Sequence, residues 1–398
     1  MNNTFLAFFI FIVILFVYIH VTAQWKTSND LEIYEADYES ASHLQEICSV
    51  KQPVVFKFQK EKTAIAFFER FQASNFEKHD NIDIRVKDRR DYNTQTPLNK
   101  TKDPAVDYVP LSFRSARRLM TTDTTAKYFS EKNHVFLEES GLDKLSHSMD
   151  SLLKPPLSAY TKHDILLGSP LVNTPLRYRI ESHHFIAVTR GKIHVKLCPP
   201  KYSKIIPYFK DYENYEFWSP LNIWAKEPDQ DILQKIKFLE MDVHTGDILF
   251  IPPYWWYSVS FSGDSETTAA SFVYDIAMNI VAQSNHWGLY YLQQNNIKNR
   301  PAKTIVVSED GEAGSSMLSS PSGSSSSLEE VAKNIVDSIH SESIINGSIP
   351  ERGTSVGIGR FSGETTQEFR SENTDIDEQS SRSNREIVTN AGIYIPAN

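Results

Sequence analysis

The stretch from Gly246 to Val259, "GDILFIPPYWWYSV", predicts two β-strands that meet at a Pro-Pro corner. Its apolar, β-branched and aromatic residues favour strands, and Gly and Pro punctuate them. Similar segments recur between about Ile165 and Met278. Upstream of them, apolar positions at helical spacing alternate with turn-rich sequence. The pattern therefore predicts a mainly β body with flanking helices.

The same stretch resembles a segment of the JmjC and cupin-like family of iron(II)/2-oxoglutarate oxygenases, especially of its asparaginyl-hydroxylase branch. That segment reads Gly-Asp-φ-φ-φ-Ile-Pro-Pro-x-Trp-Trp-His-x-Val, where φ is apolar. A second segment, "TRGKIHVKLCPP" from Thr189 to Pro200, resembles the family's Gly-x-Lys-x-x-x-φ-φ-Pro-Pro strand. "KQPVVFKF", from Lys51 to Phe58, resembles its opening motif. The resemblance covers about residues 30–290 (the predicted domain being 30–300) and implies a double-stranded β-helix, a jelly-roll or cupin-like barrel with the active site in its mouth.

The resemblance also implies where a metal would bind, and the usual ligand types are missing there. The family holds iron through a His-x-Asp/Glu pair on one strand and a histidine on a later strand. In this chain those positions correspond to Tyr178, Ile180 and Tyr257. The lysine that would bind the 2-oxoglutarate carboxylate corresponds to Ile193, and Lys192 beside it is expected to face outward because strand side chains alternate. We therefore predict vestigial positions with neither metal nor co-substrate.

Other residues are expected to line a pocket at the barrel mouth. The alternation that would place Tyr178 inside would also place His184 inside and His183 outside. We expect His184, Ser271 and Trp255 to be pocket residues. A single inward histidine is typical of a hydrogen-bonded pocket residue, and a displaced metal site that includes His184 stays open as the alternative.

The N-terminal run from Phe5 to Val21, "FLAFFIFIVILFVYIHV", has no Asp, Glu, Lys or Arg and is about long enough to cross ~30 Å of hydrocarbon. It lacks the basic leading region of a cleaved signal, although "VTA", from Val21 to Ala23, suits a signal peptidase. We predict a transmembrane signal anchor over residues 5–23, with a single span and a lumenal or extracellular body. A cleaved signal is the alternative.

Charge is concentrated in the C-terminal segment. Residues 301–398 hold 7 Lys/Arg and 15 Asp/Glu, a net −8 of the total −9, so the body is near neutral and no nucleic-acid partner is implied. The segment is also rich in serine, which predicts a disordered acidic tail. Within it, "SLEEVAKNIVDSIH" (Ser327 to His340) has helical spacing and is interpreted as a transient helix or, alternatively, a docking helix.

Two further features bear on function. Cys48 and Cys198 are far apart in sequence, so we expect buried thiols and neither a disulfide framework nor a zinc site.

The insertion from Tyr202 to Trp224 is unusually aromatic. Its rings either recognise a substrate or pack the insertion against the barrel, and aromatic density alone does not separate these readings.

These observations favour a membrane-anchored, cupin-like JmjC-family protein that is catalytically inactive and acts as a binding or scaffold module for a protein or peptide partner. It would need no cofactor. The alternative is an iron(II)/2-oxoglutarate-dependent protein hydroxylase or demethylase with a displaced metal site, which would need Fe(II) and 2-oxoglutarate. A purely structural membrane protein is a third possibility.

Overall fold

The computed structural model describes residues 3–93, 105–225, 231–263, 266–296, 303–307 and 313–317. The helices are α1 (Asn3–Trp25), α2 (Ala41–Ser49), α3 (Lys62–Arg70), α4 (Arg90–Asn93), α5 (Phe113–Thr122), α6 (His134–Ser140), α7 (Asp143–Leu153), α8 (Asp231–Gln234), α9 (Ala277–Ala282) and α10 (Ser284–Gln294). The strands are β1 (Tyr34–Asp37), β2 (Val54–Lys57), β3 (Asp83–Asp88), β4 (Val109–Ser112), β5 (Tyr128–Ser130), β6 (Ser158–Gly168), β7 (Leu176–Tyr178), β8 (His183–Arg190), β9 (Lys192–Cys198), β10 (Phe209–Asp211), β11 (Glu216–Ser219), β12 (Leu239–His244), β13 (Asp247–Ile251), β14 (Trp256–Phe261), β15 (Thr268–Ile276), β16 (Lys303–Val307) and β17 (Ala313–Met317).

Two sheets face each other across one apolar core. In the described parts of the chain, the larger sheet has the order β1-β2-β13-β8-β15-β6-β5-β3-β4, and the smaller has β10-β11-β7-β14-β9-β12. Val55, Ile186 and Leu249 from the larger sheet join Ile193 and Val259 from the smaller one in a single buried cluster. Successive strand residues face opposite sides, so these residues define the inner faces. The predicted mainly β fold with flanking helices is confirmed.

Helices α2, α3, α5, α6 and α7 cover the outer face of the larger sheet. Each contributes an apolar stripe to one buried cluster on this face, the outer cluster, through Leu44, Phe67, Phe113, Phe136 and Met149 respectively. Burying one such side chain contributes about 1.5–3 kcal/mol, so the stripes fix the helices on the sheet. His163, on β6, packs in this layer against Phe272.

The segment from Arg177 to Thr189 forms two strands, although its composition predicts one. A bend over residues 179–182 separates β7 from β8. In the bend, the Ser182 N–H donates to Asp275 Oδ1 at 3.1 Å in place of a ladder partner. Because the ladder is interrupted, the period of two cannot be counted across the bend.

Two short strands lie within residues 301–398, the segment whose composition predicts a disordered tail. Strands β16 and β17 pair antiparallel, and Ile305 is buried in the outer cluster. The sequence of β16, "KTIVV", is β-branched and apolar, but the serine-rich composition of the tail as a whole obscures it. The segment Ser327 to His340 and the rest of the tail lie outside the described residues.

The N-terminal apolar run forms helix α1. Residues Thr4–Trp25 are long and apolar enough to cross a membrane, and none of this span is buried. The C-terminal end of α1 contacts the body, because Lys51 Nζ donates to the Ala23 carbonyl at 2.8 Å and Trp25 Nε1 donates to the Ala282 carbonyl at 3.3 Å. The body therefore begins directly where the apolar helix ends.

Candidate functional site

A small cavity lies between the two sheets, where the inward side chains of both meet. Its room is about 10 Å³, about enough for one water molecule. The polar and charged residues that line it are Ser130, Glu131, Thr174, Arg177, Arg179, His184, Tyr257 and Ser271.

Three of the predicted residues meet at this cavity. His184 Nε2 lies 3.1 Å from Ser271 Oγ, and the rings of His184 and Tyr257 are 5.3 Å apart. Burial, with the nearby charges of Arg179 and Arg177, lowers the pKa of His184 well below its usual range, so the imidazole is neutral. His184 Nδ1 is buried without a hydrogen-bond partner among the described residues. His184 is thus a hydrogen-bonding group facing the cavity.

Tyr178 is not in the cavity, and the expectation that it faces the barrel interior is wrong. Its ring stacks on Phe217 at 5.1 Å and packs edge-on against Trp256 at 4.7 Å, on the outer face of the smaller sheet. Arg177 faces the cavity instead and is the register partner of Tyr257. The error comes from counting alternation across the bend, which interrupts the strand.

The other predicted positions lie near the cavity without lining it. Ile180 is buried in the bend, where its carbonyl accepts a hydrogen bond from Asn279 Nδ2 at 2.9 Å. Ile193 and Trp255 belong to the apolar core shared by the sheets. Trp255 Nε1 donates to the Ser28 carbonyl at 3.1 Å. Trp255 is therefore a core residue and not the predicted pocket residue.

A buried ion pair that sequence reasoning missed closes one side of the cavity. Arg177 Nη1 and Nη2 each donate to one oxygen of Glu131, both at 2.6 Å. The two residues are only 8% and 4% exposed. Burial acts against both charges, but each partner outweighs it, so that the pKa of Glu131 is lowered and that of Arg177 is raised. The pair is ionised and held in the two-point geometry that suits arginine and carboxylate.

A second carboxylate, Glu216, is held by two lysines. Lys87 Nζ donates to both Glu216 oxygens at 3.0 Å, and Lys132 Nζ lies 2.6 Å from Oε1. The hydroxyls of Tyr92 and Tyr108 also donate to Glu216, at 3.2 and 2.5 Å. Burial lowers the pKa of Lys87, while the two lysines overcome burial and hold the pKa of Glu216 well below its usual range. The short distances to both oxygens fit the ionised pair.

The two groups act on each other through space, because the charge of Glu216 influences both Glu131 and Arg177. Together they form one buried charge network, made of Lys87, Lys132, Arg177, Glu131 and Glu216. Three cations face two anions, so the network carries an excess positive charge. Arg179 lies beside the network, where its Nε donates to the Tyr257 hydroxyl at 3.3 Å and its Nη1 is paired with Glu181 at 3.4 Å. Such surroundings disfavour a divalent cation between the sheets, because like charges repel strongly where water is scarce.

The cavity does not fit the iron and 2-oxoglutarate that the motif resemblance implies. A facial triad needs two imidazoles and a carboxylate with open positions beside them. Among the described lining residues, His184 is the one imidazole and Glu131 the one carboxylate, and Arg177 engages both oxygens of Glu131. A five-carbon dicarboxylate does not enter room for one water molecule.

A family model agrees with this architecture. The model of a cupin-like domain matches residues 40–280, which is more than half of the chain and includes both facing sheets except strand β1. The chain belongs to the cupin-like domain family. Among curated proteins, none matches the chain. The frame of the cupin-like, JmjC-type domain is therefore shown, while its chemistry depends on the residues described above.

The aromatic insertion of the cupin-like domain mostly packs against the barrel. Trp218 is buried in the shared core, and Phe217 stacks on Tyr178. Trp224 Nε1 donates to Ser258 Oγ at 2.7 Å. Tyr208 is 36% exposed. Of the two readings of the insertion, packing accounts for these rings.

Proposed function

We propose that this cupin-like domain is a catalytically inactive, membrane-anchored scaffold that binds a protein or peptide partner. The observation that carries the proposal is the buried Arg177–Glu131 pair in the barrel mouth, where both carboxylate oxygens are already engaged. The motif resemblance relates the frame to the asparaginyl-hydroxylase branch. A frame whose centre is filled by paired charges leaves no open position for a catalytic metal there, which supports a role for its surface.

The membrane part of the proposal is supported by α1 and its surroundings. Helix α1 contacts α9, and α9 and α10 expose the apolar side chains of Val281, Leu289 and Leu292, at 52, 45 and 62%. Apolar side chains beside an apolar helix suit the membrane interface. We assign the body to the lumenal or extracellular side, and protease protection of intact vesicles tests that orientation.

The hydroxylase or demethylase alternative depends on a displaced metal site at His184. Burial, with the nearby charges of Arg179 and Arg177, lowers the pKa of this imidazole, and the excess positive charge of the buried charge network opposes a bound cation. Its Nε2 also lies within hydrogen-bond distance of Ser271. The arrangement therefore favours the scaffold over the oxygenase.

Turnover of 2-oxoglutarate tests the inactivity. The full chain, purified in detergent and supplied with Fe(II), ascorbate, 2-oxoglutarate and oxygen, should release no more succinate than heat-denatured protein. An active JmjC-type hydroxylase assayed in the same detergent is the positive control. Succinate release that His184→Ala abolishes would overturn the proposal and establish the oxygenase.

Cross-linking mass spectrometry on native membranes tests the scaffold role. If the surface binds the partner, wild type and His184→Ala should cross-link to the same proteins, because the substitution alters only the cavity. Loss of those adducts in a folded His184→Ala variant would mean that the cavity, and not the surface, determines binding.

A further inference from the structure

Two histidines and an aspartate meet on the outer side of the larger sheet, away from the cavity. His147 and Asp150 are three residues apart on α7 and so lie on one face of that helix. His163, on β6, packs against Phe272 of the outer cluster, with ring centroids 5.4 Å apart. One ligand atom from each of the three residues lies within 4.8 Å of the others.

The distances suit a shared cation. Asp150 Oδ2 is 2.9 Å from His147 Nδ1, and Asp150 Oδ1 is 2.9 Å from His163 Nε2. Two donors at about 2.1 Å from one zinc ion, roughly 90–110° apart, are separated by about 3.0–3.4 Å. Small side-chain adjustments would therefore place all three donors around one ion.

A fourth residue holds the carboxylate in place. Tyr274 Oη donates to Asp150 Oδ1 at 2.7 Å. This bond orients the carboxylate, as outer hydrogen bonds orient the ligands of metal sites.

We propose that His147, Asp150 and His163 bind a divalent transition-metal cation of the zinc class. Two imidazoles and one carboxylate suit zinc and its neighbours, whereas Ca²⁺ and Mg²⁺ take oxygen ligands. The His163 side chain is 7% exposed and that of His147 57%, so an ion can enter beside His147 and keep water at its remaining positions. The bound ion would cross-link α7 to β6 and so stabilise the packing of the helix on the sheet.

Binding changes which ring nitrogen of each histidine carries a proton. In the metal-free geometry, the nitrogen facing Asp150 is hydrogen-bonded to the carboxylate. A metal needs the lone pair of that same nitrogen, so a neutral imidazole must carry its proton on the other one. The ion therefore replaces two hydrogen bonds to Asp150 with two coordination bonds.

Metal content and thermal stability test the site. The full chain in detergent is stripped with EDTA, dialysed against Zn²⁺ and then against metal-free buffer, and its zinc is counted by mass spectrometry. Wild type should retain one ion per chain and melt at a temperature that rises with zinc concentration. Asp150→Asn and His147→Ala should retain no stoichiometric ion. Tyr274→Phe should keep the site with an affinity weaker by roughly 10- to 100-fold.

His194→Ala is the matched control. His194 is also partly exposed and contacts two carboxylates, with Nδ1 2.6 Å from Asp242 and Nε2 3.4 Å from Glu240. This variant should retain the ion. Because His147 lies at the surface, His147→Ala should fold, and circular dichroism checks that it does. A wild type without stoichiometric zinc, a His147→Ala variant that keeps it, or equal loss in His194→Ala would overturn the proposal.

Discussion

The buried Arg177–Glu131 pair predicts unequal effects of substituting its two members. Removing one partner of a buried pair destabilises a protein by about 3–5 kcal/mol, because the other charge stays buried and uncompensated. Glu131→Gln leaves the three cations of the buried charge network facing one anion, whereas Arg177→Met leaves two cations facing two anions. We therefore expect a loss of about 5 kcal/mol for Glu131→Gln and about 3 kcal/mol for Arg177→Met.

Urea denaturation of the full chain in detergent, followed by tryptophan fluorescence, measures both losses. The double variant should lose less free energy of unfolding than the sum of the single variants, with a coupling energy of about 3 kcal/mol. Arg114→Met is the control, because Arg114 is 74% exposed in its 2.9 Å pair with Asp80, and an exposed pair contributes about 0–1 kcal/mol. Single losses as small as the control, or a larger loss for Arg177→Met than for Glu131→Gln, would refute this account of the network.

Three further predictions concern pH, register and the membrane. Burial raises the pKa of Asp275 from 3.8 to about 7. Between these two values the folded state keeps a proton that the unfolded state has lost. The free energy of unfolding should therefore fall as the pH rises from about 4 to about 7, by at most about 1.4 kcal/mol per pH unit. Asp275→Asn should remove this contribution in urea denaturation at several pH values, and an unchanged pH slope would count against it. The triple variant Tyr178→His, Ile180→Asp, Tyr257→His should gain no Mn²⁺-dependent rise in melting temperature over its parent, because Tyr178 faces outward; a gain would show that the side chain turns inward. The chain should stay in the membrane pellet after carbonate extraction, and a mature N-terminus at Gln24 would instead show a cleaved signal.

The motif from Gly246 to Val259 predicts the barrel because its turn, strand and corner residues occur in a fixed order. The same local pattern cannot reveal the cavity contents. Arg177 and Glu131 are 46 residues apart, and Lys87 and Glu216 are 129 apart. Charged residues inside strand-like segments are a signal that some buried pairing exists, but their partners depend on which strands become neighbours.

The proposed outer site, formed by His147, Asp150 and His163, can be predicted from the sequence only in part. The helical spacing of His147 and Asp150 places them on one face, as a local rule predicts. His163 reaches them from a strand whose position is set by the packing of α7 on the sheet, so the sequence alone does not bring the third donor near. At Tyr178 the local rule of alternating strand side chains gives the wrong face. The reason is a bend, held by the distant Asp275, that interrupts a strand which looks continuous in the sequence.

Anaerobic Fe(II) titration by calorimetry is the most direct test of the claim that the barrel mouth carries no iron site. The titration uses the full chain with Asp150→Asn, which removes the proposed outer site and leaves the cavity intact. We predict no saturable binding in this background. A stoichiometric micromolar site that persists with Asp150→Asn and disappears when His184→Ala is added would contradict the claim.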